Sequence, residues 1–182
     1  MMSSDWVRAL ARYNRWMNDK VYALAADVGD EARKRDMGAF FKSIHGTLNH
    51  LLVADRIWLG RLSGVVLPEG FLGPGGIRSL DQELYADFEE LRRERTLTDE
   101  ALSEWVLGLT DERLAAQFSF LRLGKRQECP LWWLAAHIFN HQTHHRGQVS
   151  TLLLQQGVDP GLTDLYGMLR EEEINLSRQT PG

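Results

Sequence analysis

Residues 131–157, LWWLAAHIFNHQTHHRGQVSTLLLQQG, are the most informative stretch of this 182-residue sequence. Their apolar residues recur at steps of three and four, which is the repeat of one face of an α-helix. The members of that face are Leu131, Leu134, Ile138, Val149 and Leu152. Pro130 suits the first position of a helix and Gly157 the position just after its end. We therefore predict one long helix from Pro130 to about Gln156.

Three segments upstream have the same periodicity. We predict a first helix from Trp6 to Leu24 that Gly29 ends, a second from Gly38 to Leu62, and a third from Ser79 to Leu109. Ser79 and Gln82 resemble a capping box that opens the third helix. The glycines and prolines of residues 64–78 exclude a helix there and predict a loop.

Residues 115–129 alternate around Phe118 and Phe120, which predicts a short hairpin or an irregular loop before the last long helix. The tail from Asp164 onwards is compatible with a short further helix. Four long helices with mostly short connections predict an all-α protein built as a four-helix bundle. A chain of this length suits a single domain, residues 1–182.

Composition excludes several classes of function. A net charge of −4, from 21 basic and 25 acidic residues, does not suit a nucleic-acid-binding protein. No apolar run is long enough to span a membrane, and the charged N-terminus does not resemble a signal peptide. The single cysteine, Cys129, excludes an internal disulfide and fits a reducing cytoplasm. We therefore expect a cytoplasmic protein that acts on a small molecule.

Four of the six histidines lie between His137 and His145. His141 and His145 are four residues apart, so they are neighbours on the helix surface, about 40° apart. Both share the arc of the apolar residues, and imidazoles aimed into a core need partners there. A metal ion satisfies both at once, whereas the alternative is a pair of core histidines bonded to carbonyl groups. The spacing favours a metal site.

The third ligand does not follow from spacing alone. His50, in the sequence LNHLLVADRIW, lies at the edge of the second helix's apolar arc. His45 lies on the polar arc of the same helix, so His50 is the better candidate. Three imidazole ligands that leave a coordination position of the metal open are typical of a catalytic site. Nitrogen ligands suit zinc, nickel or iron.

Residues near these histidines have more than one interpretation. Asp55 lies in the apolar stripe of its helix, where pairing with an arginine or a backbone donor is favoured over orienting a ligand. Arg146 could bind a substrate carboxylate or form an exposed or interface salt bridge. His144 is either a wall of the site or a polar helix edge, and His137 is interpreted as a polar edge. Cys129 is interpreted as a small apolar residue. The sequence identifies no catalytic residue.

A second, outer face of the last long helix combines small residues with large apolar ones. The small residues are Ala136, Thr143, Gly147 and Ser150, and Trp132, Phe139 and Leu154 lie alongside them. Small residues let another helix approach closely. The partner of this face is either the first helix of the same chain or the same helix of a second subunit.

The sequences NHLLVADRIWLGRL and FNHQTHHRGQV, about ninety residues apart, resemble the DinB family of DinB/YfiT-like metalloenzymes. The resemblance extends from Trp6 to about Glu172. It implies an up-down-down-up four-helix bundle with a metal site formed by His50, His141 and His145. All three histidines are present. The resemblance also implies a homodimer and favours nickel or zinc as the metal.

The resemblance implies less about the reaction. Relatives in the wider superfamily are isomerases or transferases that use low-molecular-weight thiols such as mycothiol or bacillithiol. The family's name refers to DNA-damage inducibility. The expectation is a metal-dependent transferase acting with such a thiol; the alternatives are a metal-dependent hydrolase and a non-catalytic, metal-stabilised homodimer related to stress.

Overall fold

The computed structural model describes residues 2–62, 76–122 and 125–179. Its helices are α1 (Ser4–Asp27), α2 (Gly29–Lys34), α3 (Ile44–Leu62), α4 (Phe88–Leu107), α5 (Asp111–Ala115), α6 (Leu131–Gln155) and α7 (Leu165–Gln179). The strands are β1 (Gln117–Arg122) and β2 (Lys125–Pro130). The described chain is mostly helical, as predicted. None of its helices combines the length and the apolar character needed to cross a membrane.

The four long helices pack against one another in pairs. α1 contacts α4 and α6, and α3 contacts the same two helices. Their buried apolar side chains form two clusters. The first includes Met17, Val21, Leu48, Leu51, Leu91 and Val149, and the second includes Val7, Leu59, Leu102, Leu131 and Ile138. Each of the four helices also contributes buried polar residues near the boundary between these two clusters.

The residues between the two apolar clusters form a buried layer, which we call the polar ring. Each of the four long helices contributes to it, and its members are Asn14, Asn18, Asp55, Arg95, Asp99, Gln142 and Arg146. Because buried polar groups are costly without partners, their mutual contacts fix how the helices are rotated against each other.

The contacts of the polar ring run from helix to helix. Arg95 places Nη1 2.8 Å from Oδ2 of Asp55 and donates through Nε and Nη2 to Asp99. Asp55 accepts a hydrogen bond from Gln142, whose amide oxygen accepts one from Arg146 at 3.2 Å. The amide groups of Asn14 and Asn18 donate to Asp99 and accept from Arg146, which closes the ring.

The predicted start of the third long helix is wrong. Gln82 accepts a hydrogen bond from the amide of Arg78 and donates to the carbonyl of Gly76, so it stabilises a loop. α4 begins at Phe88, after Asp87 caps it by accepting from the amide of Glu90 at 2.8 Å. The predicted loop over residues 64–78 lies mostly outside the described residues.

The predicted hairpin is confirmed as the antiparallel pair of β1 and β2. The two residues between the strands, Leu123 and Gly124, lie outside the described residues. Gly157 has a φ of 79° immediately after the end of α6, as expected of a glycine in that position. The second long helix begins at Ile44 rather than at Gly38, because residues 38–43 form a tight turn.

That turn explains why position 46 is a glycine. A β-carbon at Gly46 would lie 2.2 Å from the carbonyl oxygen of Phe41, which is closer than any real contact. Glycine therefore allows the turn to fold back onto the first residues of α3. This close approach positions the ring of Phe41 beside the histidines of α3 and α6.

Candidate metal centre

α3 and α6 bring the three predicted ligands together. One ring nitrogen of each of His50, His141 and His145 lies within 4.8 Å of the corresponding atoms of the other two. The Nε2 atoms of His50 and His141 are 3.1 Å apart. The pair on α6 meets His50 because α3 packs directly against α6. The four-residue spacing therefore produces the predicted cluster.

Two of the imidazoles are held in a defined tautomer. Nδ1 of His50 lies 2.7 Å from the carbonyl oxygen of Leu80, and Nδ1 of His145 lies 2.8 Å from Oε1 of Gln148. These oxygens only accept, so each Nδ1 carries the proton and donates it. Their Nε2 atoms then carry lone pairs instead of protons, and that of His50 faces Nε2 of His141 at 3.1 Å. Such orienting hydrogen bonds are typical of histidines that bind metals.

The loop that supplies the carbonyl of Leu80 is itself tied to α3. The side-chain oxygen of Asn49 accepts hydrogen bonds from the amides of Leu84 and Tyr85, at 2.9 and 3.0 Å. Asn49 is buried, so these bonds are protected from competing water. The residue that precedes His50 in the sequence thus positions the segment that orients its ring.

Phe41 covers one side of the centre. Its ring stacks on His50 with a centroid distance of 3.8 Å and contacts His145 edge-on at 5.5 Å. His50 and His145 are buried, whereas His141 is half-buried. The exposed His137 lies beside His141, and the exposed His144 lies beside His145. The centre therefore reaches the surface on the side of His141.

Burial also keeps the three imidazoles neutral. It lowers the pKa of His50 and His145 below the ordinary value of 6.5. Burial, together with the charges of the neighbouring histidines, lowers the pKa of His141 to about 3. A neutral imidazole is the form that binds a metal ion.

The donor set fits a divalent metal ion. One ring nitrogen of each of the three histidines lies within 4.8 Å of the other two, and a cation placed between them would accept their lone pairs. Within the described ranges, no carboxylate or thiolate joins this cluster. Three nitrogen ligands leave at least one coordination position for a solute in the tetrahedral or larger shells that zinc and nickel adopt.

Two interpretations of neighbouring residues are wrong. Arg146 is 2% exposed and belongs to the polar ring, so it is neither a surface salt bridge nor free to bind a substrate. Burial lowers its pKa to about 10. His45 does not lie on an exposed polar arc: it is 1% exposed, and its Nε2 lies 2.9 Å from the carbonyl oxygen of Tyr85. That contact separates it from the metal centre.

Other interpretations are confirmed. Asp55 pairs with Arg95, the structural partner that was favoured for it. His137 lies at the exposed edge of α6, as interpreted. His144 is exposed as well, and its ring lies 4.7 Å from that of His145, so both interpretations of His144 stand. The hydrogen-bond partners of the Nδ1 atoms of His50 and His145 were not predicted from the sequence. Gln148 could have been found, because it lies one turn after His145, whereas the carbonyl of Leu80 leaves no signal in the sequence.

The chain is similar to a known family and to known proteins. The model of the DinB family matches residues 2–176. Protein DinB of Bacillus subtilis (strain 168) is 24% identical over 180 residues, which cover 91% of this chain and 94% of that protein. A DinB-like protein of Bacillus cereus has the same fold, with a TM-score of 0.56 and 17% identity over 81% of this chain and 91% of that one. Since the family model matches nearly the whole sequence, the chain belongs to the DinB family.

Proposed function

We propose that His50, His141 and His145 bind one divalent metal ion, with nickel or zinc favoured and iron as a further candidate. The observation that carries the proposal is the convergence of three ring nitrogens, two of them in imidazoles whose Nδ1 atoms already donate elsewhere. Soft or borderline ions prefer such nitrogen ligands.

We infer further that the protein is an enzyme, a transferase acting with a low-molecular-weight thiol. A bound divalent ion would lower the pKa of a thiol or of water, so that a nucleophile is available at neutral pH. The open side at His141 favours this role over a metal that only clamps two helices, because a clamp needs no access from solvent. Phe41 and the orienting bonds to Leu80 and Gln148 would hold the ligand rings still during turnover.

The transferase proposal predicts metal-dependent consumption of a thiol. With bacillithiol and 1-chloro-2,4-dinitrobenzene, the thiolate sulfur forms a bond to the ring carbon, chloride leaves, and the thiol proton goes to the solvent. We expect zinc- or nickel-loaded protein to accelerate this reaction at least about tenfold over the metal-free protein. The product is followed by its absorbance.

The same preparations distinguish the alternatives. A metal-dependent hydrolase would cleave a nitrophenyl ester without any thiol and leave the thiol reaction at its background rate. A non-catalytic homodimer would accelerate neither reaction, although removing the metal would lower its melting temperature. Either outcome would reject the transferase.

The pKa values make metal binding resistant to mild acid. Protons compete with the metal only when the pH approaches the pKa of a ligand, and burial holds the pKa of all three histidines below 6.5. We expect the affinity for zinc, corrected for the competing chelator, to be nearly constant between about pH 7.5 and 6.5 and to fall below that range. An affinity that falls steeply within that interval would show that the ligands titrate like free histidine.

We propose that the four long helices form an up-down-down-up bundle within a single domain, and that the protein is cytoplasmic. The pairwise packing of α1 and α3 against both α4 and α6 supports the bundle, as does membership of the DinB family.

We also propose a homodimer formed through the outer face of α6. A β-carbon at Gly147 would meet no other atom within 4 Å, and Thr143 and Leu154 are exposed, so α1 does not cover this part of the helix. Phe139 was wrongly assigned to this face, because it is 3% exposed and packs in the core. A symmetric dimer would place the same face of a second subunit here.

Gly147→Trp tests the dimer. We expect a folded protein that still binds metal but sediments as a monomer, because the large side chain fills the space into which the second helix would pack. Thr96→Trp, at an exposed position on α4, is the control and should sediment like the wild type. A wild-type protein that sediments as a monomer at micromolar concentration would contradict the dimer.

A further inference from the structure

Beyond the metal centre, the contact between α3 and α6 continues towards the end of α3. Trp58 lies two turns after His50, and His137 lies one turn before His141. Their rings are 5.1 Å apart, and the rings of His137 and His141 are 5.8 Å apart. The two helices therefore present a continuous row of rings that begins at the candidate metal centre.

The hairpin extends this row. The ring of Phe120 on β1 contacts Trp58 edge-on at 5.5 Å. Arg122 follows two residues later, on the same face of the strand, and Lys125 is its cross-strand partner. The guanidinium of Arg61 lies 4.7 Å over the ring of Trp58 and 5.8 Å over that of Phe120. We call Trp58, Arg61, Phe120, Arg122 and Lys125 the basic wall.

In the described part of the chain, the cations of the basic wall have no acidic partner. Among residues 2–62, 76–122 and 125–179, no carboxylate forms a salt bridge with Arg61, Arg122 or Lys125. Like charges directly opposite each other on two strands are destabilising, and Arg122 and Lys125 form such a pair. Burial and the charge of Arg122 also lower the pKa of Arg61. An anion bound here would relieve this repulsion.

We propose that Arg61 and Arg122 bind the carboxylate of a small molecule whose reacting end lies at the three histidines. The face of the Arg61 guanidinium is covered by Trp58, so its in-plane N–H groups remain for a two-oxygen group such as a carboxylate. Trp58 is eight residues further along α3 than His50, which corresponds to about 12 Å of helix, so the ligand has an extended stem that contacts the rings. Only the location of the reacting end rests on the proposed function.

The test compares 8-mercaptooctanoate with 8-mercaptooctanol by calorimetry on cobalt-loaded protein, with the cobalt–thiolate absorption recorded in parallel. We expect the acid to bind about tenfold more tightly than the alcohol, as charged hydrogen bonds permit. The double variant Arg61→Gln, Arg122→Gln should bind the two probes equally. Arg126→Gln should keep the preference, because Arg126 is on the same hairpin but the opposite face, where it donates to Ser119.

The two readouts separate this proposal from the function of the metal centre. Equal binding of acid and alcohol to the wild type, or a preference that survives in the double variant, would overturn the basic wall, even with cobalt–thiolate absorption present. A preference that is lost only in the double variant would support the wall. If no cobalt–thiolate band then appeared, the thiol chemistry would be rejected and the carboxylate site retained.

Discussion

His141→Ala and His145→Ala should each lower the affinity for zinc or nickel by more than about a hundredfold, since losing even an orienting partner of a ligand can cost that much. Each substitution removes one of three nitrogens that lie within 4.8 Å of one another. The wild type should carry close to one ion per chain after purification. Metal content by mass spectrometry and affinity by chelator competition measure the two effects.

His144→Ala is the matched control for these variants. His144 lies on the same helix, its ring is 4.7 Å from that of His145, and its side chain is exposed, but it is not part of the ligand cluster. We expect it to retain the metal. Unchanged metal content in both ligand variants, or an equal loss in His144→Ala, would reject the assignment of ligands.

The part of the site that lies on one helix was predictable from the sequence. His141 and His145 share the apolar arc of α6, and a helix with that repeat necessarily places them side by side. The choice of His50 needed more, because the apolar arc of α3 is wide. The ring of His50 is oriented by its hydrogen bond to the carbonyl of Leu80. Leu80 belongs to a different segment, and no sequence pattern predicts this contact.

The prediction for Arg146 failed for a reason that concerns packing. Arg146 lies about 100° round the helix from His145, and such a turn leads towards the surface in a helix with one covered side. α6 is covered by α3 on one side and by α1 on another, so the turn leads from the metal centre into the polar ring. A single helix's pattern does not show how many neighbours that helix has.

The start of α4 shows a related limit. Ser79 and Gln82 fit a capping box, but the side chain of Gln82 satisfies two backbone groups of a loop equally well. The cap of α4 is Asp87, eight residues after Ser79. A local sequence pattern of this kind shows which polar groups can form hydrogen bonds with each other. Tertiary packing determines which of the compatible structures forms.

Arg95→Met should destabilise the protein by about 3–5 kcal/mol, the cost of leaving buried carboxylates without their cation. Arg95 lies between Asp55 and Asp99, and all three are buried. Within the described part of the chain, no other side chain is hydrogen-bonded or ion-paired to both carboxylates. Burial already raises the pKa of Asp99 to about 6, although the charge of Arg95 lowers it. Urea denaturation measures the loss, with Arg92→Met, an exposed neighbour on the same helix, expected to change the stability by less than about 0.5 kcal/mol.

The consequences of Arg95→Met should extend to the metal centre. Asp55 accepts from Gln142, and Gln142 and Arg146 directly follow the two ligands of α6, so the polar ring sets the rotation of that helix. We therefore expect the folded variant to bind zinc about tenfold more weakly. This is within the range for losing a residue that orients a metal ligand. Adding Asp55→Asn and Asp99→Asn removes the unpaired charges, so it should restore part of the stability but not the affinity. Wild-type affinity in Arg95→Met would show that the histidines of α6 are positioned without the polar ring.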